Sequence, residues 1–114
     1  MANTTVLKAA GKTYAIAVTA TSSTSLTIDD STNDQVNFAT FLNAGAKACA
    51  ITVSNLATAP VSVFPTVGTP GDFVLPANMT YPITLAVPTA PFQITAVCGG
   101  SDTTTLYVTA VENQ

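Results

Sequence analysis

Met79-Thr-Tyr-Pro-Ile-Thr-Leu-Ala-Val87 carries the cleanest alternation in this chain. Met79, Tyr81, Ile83, Leu85 and Val87 fall on one side of a period-two pattern, and Thr80, Pro82, Thr84 and Ala86 fall on the other. Successive side chains of a strand point to opposite faces, so this is the pattern of a strand with one face on a core. Pro82 has no N–H to give to a neighbour, which places the strand at a sheet edge.

The same period runs outward in both directions. Upstream, Tyr14, Ile16, Val18 and Ala20 alternate with Ala15, Ala17 and Thr19, and Leu26 with Ile28 forms a second short strand. Val36, Phe38, Phe41 and Leu42 make an apolar segment ending at the turn Asn43-Ala-Gly45. Cys49, Ile51 and Val53 share a face. Asn55 to Pro60 reads as a hairpin connection, with a strand through Val61, Val63 and Phe64 after it. Gly68-Thr-Pro-Gly71 is a turn and Asp72 to Leu75 a short strand. Downstream, Phe92, Ile94, Ala96 and Cys98 line one strand face, Gly99-Gly-Ser-Asp102 turns, and Leu106, Val108 and Ala110 close the chain.

Strands at intervals of about 8–12 residues, with no sustained 3.6 period, mark a sandwich or barrel. We expect an all-β, antiparallel β-sandwich (or flattened barrel) of about eight strands over residues 13–114, as one domain. Residues 1–12 precede the first alternating run and are expected to form an N-terminal arm. The 21 threonines suit a pleated, half-buried surface.

Composition narrows the function. The chain has no His and no Arg, and its three cations are Lys8, Lys12 and Lys47. Without imidazole, acid–base chemistry near neutral pH has few carriers, and neither Cys nor Ser has its usual base. An enzyme is not expected, nor a cofactor or metal. A net charge of −3 and the missing Arg argue against nucleic acid, which needs cations for its phosphates. Hydrophobic residues are 47% and charged residues 8%, yet no apolar run approaches the roughly 20 residues of a membrane-spanning helix. Lys8 and Lys12 precede Tyr14-Ala-Ile-Ala-Val18, but Thr19 and Thr21 interrupt that run, and no cleaved leader is expected. So little charge leaves little self-repulsion, which suits a chain whose work is association.

Several candidate sites follow. Cys49 and Cys98 each lie on an apolar strand face, as a candidate disulfide across the sandwich or as two buried free thiols. The free thiols are the favoured reading, since the Trp that accompanies an immunoglobulin-type bridge is absent. Asp29, Asp30, Asn33 and Asp34 supply oxygens, but with no EF-hand spacing they read as a solvated loop. Asn3-Thr-Thr5 and Asn78-Met-Thr80 fit the glycosylation sequon, a match expected by chance in so Thr-rich a chain. Of the tyrosines, Tyr14 and Tyr81 fall on apolar faces and read as core. Tyr107 stands among Thr105 and Thr109 and reads as exposed.

The second half resembles a pattern in small virion proteins of tailed bacteriophages. It runs through Ile51-Thr-Val-Ser-Asn55, Ala59-Pro-Val-Ser-Val-Phe64, Phe73-Val-Leu-Pro76, the strand from Met79 to Val87, Phe92-Gln-Ile-Thr-Ala-Val-Cys98 and Thr104-Thr-Leu-Tyr-Val-Thr109. The resemblance covers roughly the last 70 residues and implies a head decoration (cement) protein. Such a protein is a small β-sandwich that binds outside an assembled capsid and braces neighbouring capsomers. An Arg often follows the Pro-Val element there. Here Ser62, Phe64 and Thr66 occupy that region, and no functional residue carries over.

The expected role is therefore structural, on the capsid exterior of a virion, in a chain made in the host cytoplasm. The expected partners are the major capsid protein and further copies of this chain. A trimer is favoured because capsids offer threefold positions, and Lys8 and Lys12 of the arm are candidate capsid contacts. The alternative is an adhesive or carbohydrate-binding sandwich of a fibre, tail or secreted protein, with an exposed aromatic groove and a Cys49–Cys98 disulfide.

Overall fold

A computed structural model describes residues 7–23, 25–28, 36–55, 60–88 and 92–113. It contains eight strands: β1 (Leu7–Val18), β2 (Leu26–Ile28), β3 (Val36–Asn43), β4 (Cys49–Ser54), β5 (Phe73–Leu75), β6 (Ile83–Ala86), β7 (Phe92–Cys98) and β8 (Thr104–Asn113). They form two four-stranded antiparallel sheets, ordered β1-β8-β3-β6 and β2-β7-β4-β5.

That order has a simple origin. β1 pairs with β8, β2 with β7, β3 with β6 and β4 with β5, which are the rungs of one long antiparallel hairpin. Rolling that hairpin on itself adds the contacts β3·β8 and β4·β7 and closes two layers. The result is a double-sheet jelly roll.

The apolar half of each alternation faces between the layers. Val18, Phe41, Leu106 and Val108 come from the first sheet, and Ile28, Leu75, Phe92 and Ile94 from the second, all fully buried. Burying each such side chain contributes about 1.5–3 kcal/mol. β6 is an edge strand, as Pro82 requires, but it begins only at Ile83.

Two segments depart from the sequence reading. Of residues 1–12, expected as an arm, 7–12 belong to β1: Leu7, Lys8 and Ala9 stand opposite Asn113, Glu112 and Val111. Residues 1–6 lie outside the described residues. Between Ala9 and Thr13 the register shifts, and β3 shifts at the same level of β8, between Val36 and Phe38. Bulges on both sides of one strand bend the sheet there.

The second departure is Val61 to Phe64, which is not a strand. It is a strap across the outside of the second sheet. Ser62 Oγ donates to Thr52 Oγ1 at 2.9 Å and lies 2.8 Å from Thr95 Oγ1, and the Ser62 N–H donates to Ser22 Oγ at 3.0 Å. The Phe64 ring lies against Gly99, where a Cβ would come within 3.0 Å of it. All seven residues of β7 are buried, with the core on one face and, on the other, the strap over Thr95 and Ser25 against Gln93. Hydroxyls bridge the strap because Thr52 and Thr95 sit at the outward positions of their strands and need partners once covered.

Asn43 organises the turn after β3. It is fully buried, accepts from Thr104 Oγ1 at 2.6 Å and from the Gly45 N–H at 3.3 Å, and donates to the Lys47 carbonyl at 2.8 Å. A Cβ at Gly45 would overlap the Thr104 hydroxyl, so this close approach requires glycine.

Candidate interaction surface

The expected site residues are dispersed. Cys49 and Cys98 stand directly opposite each other on β4 and β7, within one sheet rather than across the sandwich. The Cys98 N–H turns away from Cys49 and donates to the Thr19 carbonyl at 2.7 Å. The pair is therefore the non-hydrogen-bonded kind, whose Cα atoms approach to about 4.5 Å, within disulfide range. Both are buried free thiols. Burial, and then the neighbouring Cys98, pushes the Cys49 thiol up to about 12. Burial, and then the Asp102 carboxylate, raises that of Cys98. Neither supplies a thiolate near neutral pH.

Lys8 lies on β1 beside β8, and Lys12 is exposed in the β1 bulge. Asp29, Asp30, Asn33 and Asp34, and the sequon at Asn3, lie outside the described residues. Asn78, of the second sequon, is exposed with φ 54° in a turn pinned by its N–H on the Gly45 carbonyl at 2.8 Å. Among the described residues no three His, Cys, Asp or Glu side chains converge as a metal site. Tyr14 packs partly buried on the core. Tyr81, expected there too, is 81% exposed. The chain bends at Thr80 and Tyr81, ahead of Pro82, so the strand's alternation does not reach back to it. Tyr107 is 38% exposed on β8.

What the structure brings together is a different feature, the finger that extends the strap. Its base is closed by Val63 and Asp72: the Val63 N–H donates to Asp72 Oδ2 at 2.6 Å, and the Asp72 N–H to the Val63 carbonyl at 2.8 Å. Its tip is closed by Thr66 and Thr69, whose N–H groups each donate to the other's carbonyl, at 3.0 and 2.9 Å. Val67 and Gly68 form the turn, with Gly68 at φ 86°, and Pro65 and Pro70 flank it. Gly71 packs so closely on the Val63 carbonyl and Pro65 that a Cβ would sit 2.5–2.7 Å from their backbone atoms.

This rigid frame carries apolar side chains into solvent. Val67 is fully exposed, Val61 is 70% exposed, Phe73 53% and Val63 50%, with Val74 beside them on edge strand β5. Asp72, its carboxylate tied to the base, is the sole charged residue from 60 to 75. Exposed apolar side chains held together on one element make it a candidate interaction surface. The sequence reading missed it by taking Val61, Val63 and Phe64 as a strand. The available signal was Pro60, Pro65 and Pro70 within one short stretch, which a central strand does not tolerate.

The opposite layer carries uncharged rows across its strands. Thr13 stands opposite Thr109, Thr109 opposite Thr40, and Thr40 opposite Thr84, so one threonine row crosses all four strands. Thr13 Oγ1 and Thr109 Oγ1 are 2.7 Å apart. Ala15, Tyr107 and Leu42 form the next row. An ion pair, Lys47 with Asp102 at 3.9 Å, lies at the turn end of the molecule, away from these rows. Comparison with protein-family models, with curated proteins and with solved structures finds no match to this chain.

Proposed function

We propose that this chain is a structural virion protein that binds the outside of an assembled phage capsid and stabilises contacts between capsomers. The observation that carries this reading is the finger, a braced turn holding Val61, Val63, Val67 and Phe73 in solvent beside a single tied carboxylate. Interface cores are apolar and depleted of charge, and a rigid finger loses little entropy on docking. The partner is the major capsid protein. Binding only the assembled shell, the chain stabilises that state by mass action. Jelly rolls serve capsid and lectin domains alike, so the architecture is compatible with this role without choosing it.

Cosedimentation with capsid particles lacking this chain tests the reading. Wild-type chain is expected to pellet with the shells. Val67→Asp is expected to weaken binding by at least about tenfold, since it sets a charge at the centre of the contact, with an unchanged melting temperature. Unchanged binding would remove the finger from the interface.

A second reading, an adhesive or carbohydrate-binding module, is favoured by the exposure of Tyr81, because sugars stack on aromatic faces. It predicts glycan binding lost in Tyr81→Ala and indifferent to Val67→Asp.

A further inference from the structure

The four sheet edges differ in how they are protected. β2 and β5 are three residues long, with Pro76 directly after β5. β6 is four residues long, between Pro82 and nearby Pro88. Short strands and prolines are the usual ways of blunting an edge. β1 has twelve residues and no proline, and from Thr13 to Val18 it carries no charge.

Its main-chain groups can be followed one by one. The Ala44 N–H donates to the Thr105 carbonyl at 3.2 Å, so Thr105 turns its main-chain groups toward β3. Alternation turns those of Leu106 and Val108 toward β1, where they meet Ile16 and Tyr14. Thr13, Ala15 and Ala17 therefore direct N–H and C=O away from β8, to the open side of the sheet. No described residue pairs with them there. A groove of about 550 Å³ opens at this place, lined by Ala15 and Ala17 of β1 together with Ser22, Ser23 and Leu26.

We propose that this edge pairs with the same edge of a second copy across a two-fold axis. The sequence is self-complementary in one register. With the axis at Ala15, Ala15 faces Ala15 and Thr13 faces Ala17, and these are the residues with outward main-chain groups, so each pair exchanges two hydrogen bonds. The exposed side chains at these positions are small and uncharged. Lys12 falls opposite Val18, so like charges do not meet. Tyr14 falls opposite Ile16 on the core side and continues the apolar layer. The contact is isologous and makes a dimer.

Sedimentation equilibrium of the purified chain tests this, with three variants. Ala15→Pro removes only an N–H that β8 does not use, so it is expected to give a monomer with unchanged circular dichroism. Ala15→Lys and Ala15→Glu each place like charges on the axis and are expected to raise the dimer dissociation constant at least about tenfold. Mixed together they are expected to restore a dimer, because only this register puts position 15 opposite itself. If Ala15→Pro fails to fold, that mixture decides. A monomeric wild type, including one that instead takes up an extended partner peptide, would overturn the proposal. So would an oligomer that both charge variants leave unchanged.

Discussion

At the scale of single residues, this chain uses its few special side chains for structure. Asn43 and Gly45 build one turn with Thr104, and Asp72 closes the finger. The two thiols follow the same pattern. With its titration pushed up to about 12, Cys49 stays protonated in the fold where an unfolded chain has begun to lose its proton. Its contribution to stability is therefore complete below the ordinary thiol range, near 9, and is lost as pH climbs from there toward 12. Denaturant melts across that range should show stability falling with pH, and Cys49→Ala should flatten the fall. A thiol reagent near pH 7 should label neither cysteine in the native chain and both in denaturant. Rapid native labelling would contradict this burial. The sequence already placed both cysteines on core faces. It could not place them opposite each other, because strand partnership depends on the roll of the whole hairpin.

At the scale of elements, alternation was legible wherever a strand touches the core on one side. β7 and β8 follow Phe92 to Cys98 and Leu106 to Ala110, and Pro82 correctly indicated an edge. Local pattern failed where covering came from elsewhere. Val61, Val63 and Phe64 look like a strand, yet Ser62 is the buried residue there and its two valine neighbours face solvent. Nothing local reveals that Thr52 and Thr95 await its hydroxyl. Ser62→Ala should leave those hydroxyls a partner short, at a cost of about 1–3 kcal/mol. Amide exchange should accelerate across 60–72 while β8 keeps its protection. Acceleration spread evenly over the chain would instead make Ser62 a general core residue and not the fastening of the strap.

At the scale of the molecule, the jelly roll separates three surfaces. The strap and finger cover the second sheet, the threonine row crosses the first, and the β1 edge lies open at the side. Each threonine pair in that row contributes about 0.2–1 kcal/mol to the sheet without adding charge. Lys47 pairs with Asp102 and Asp72 is tied to the base of the finger, all three at turns. Low charge, noted first as composition, thus becomes geometry: the threonine row and the finger's valines are uncharged surface on a body that gives them a fixed shape. The composition suggests a molecule that works by contact, and the order of the strands sets which residues stand on its outer faces.

The most direct measurement of the central claim is cryo-imaging of particles purified from the culture that produces this chain. The account predicts many copies on a regular lattice outside the shell, each with Val67 and the finger turned toward the capsid protein. Copies confined to one vertex or to a tail, or bound with the finger in solvent, would contradict it.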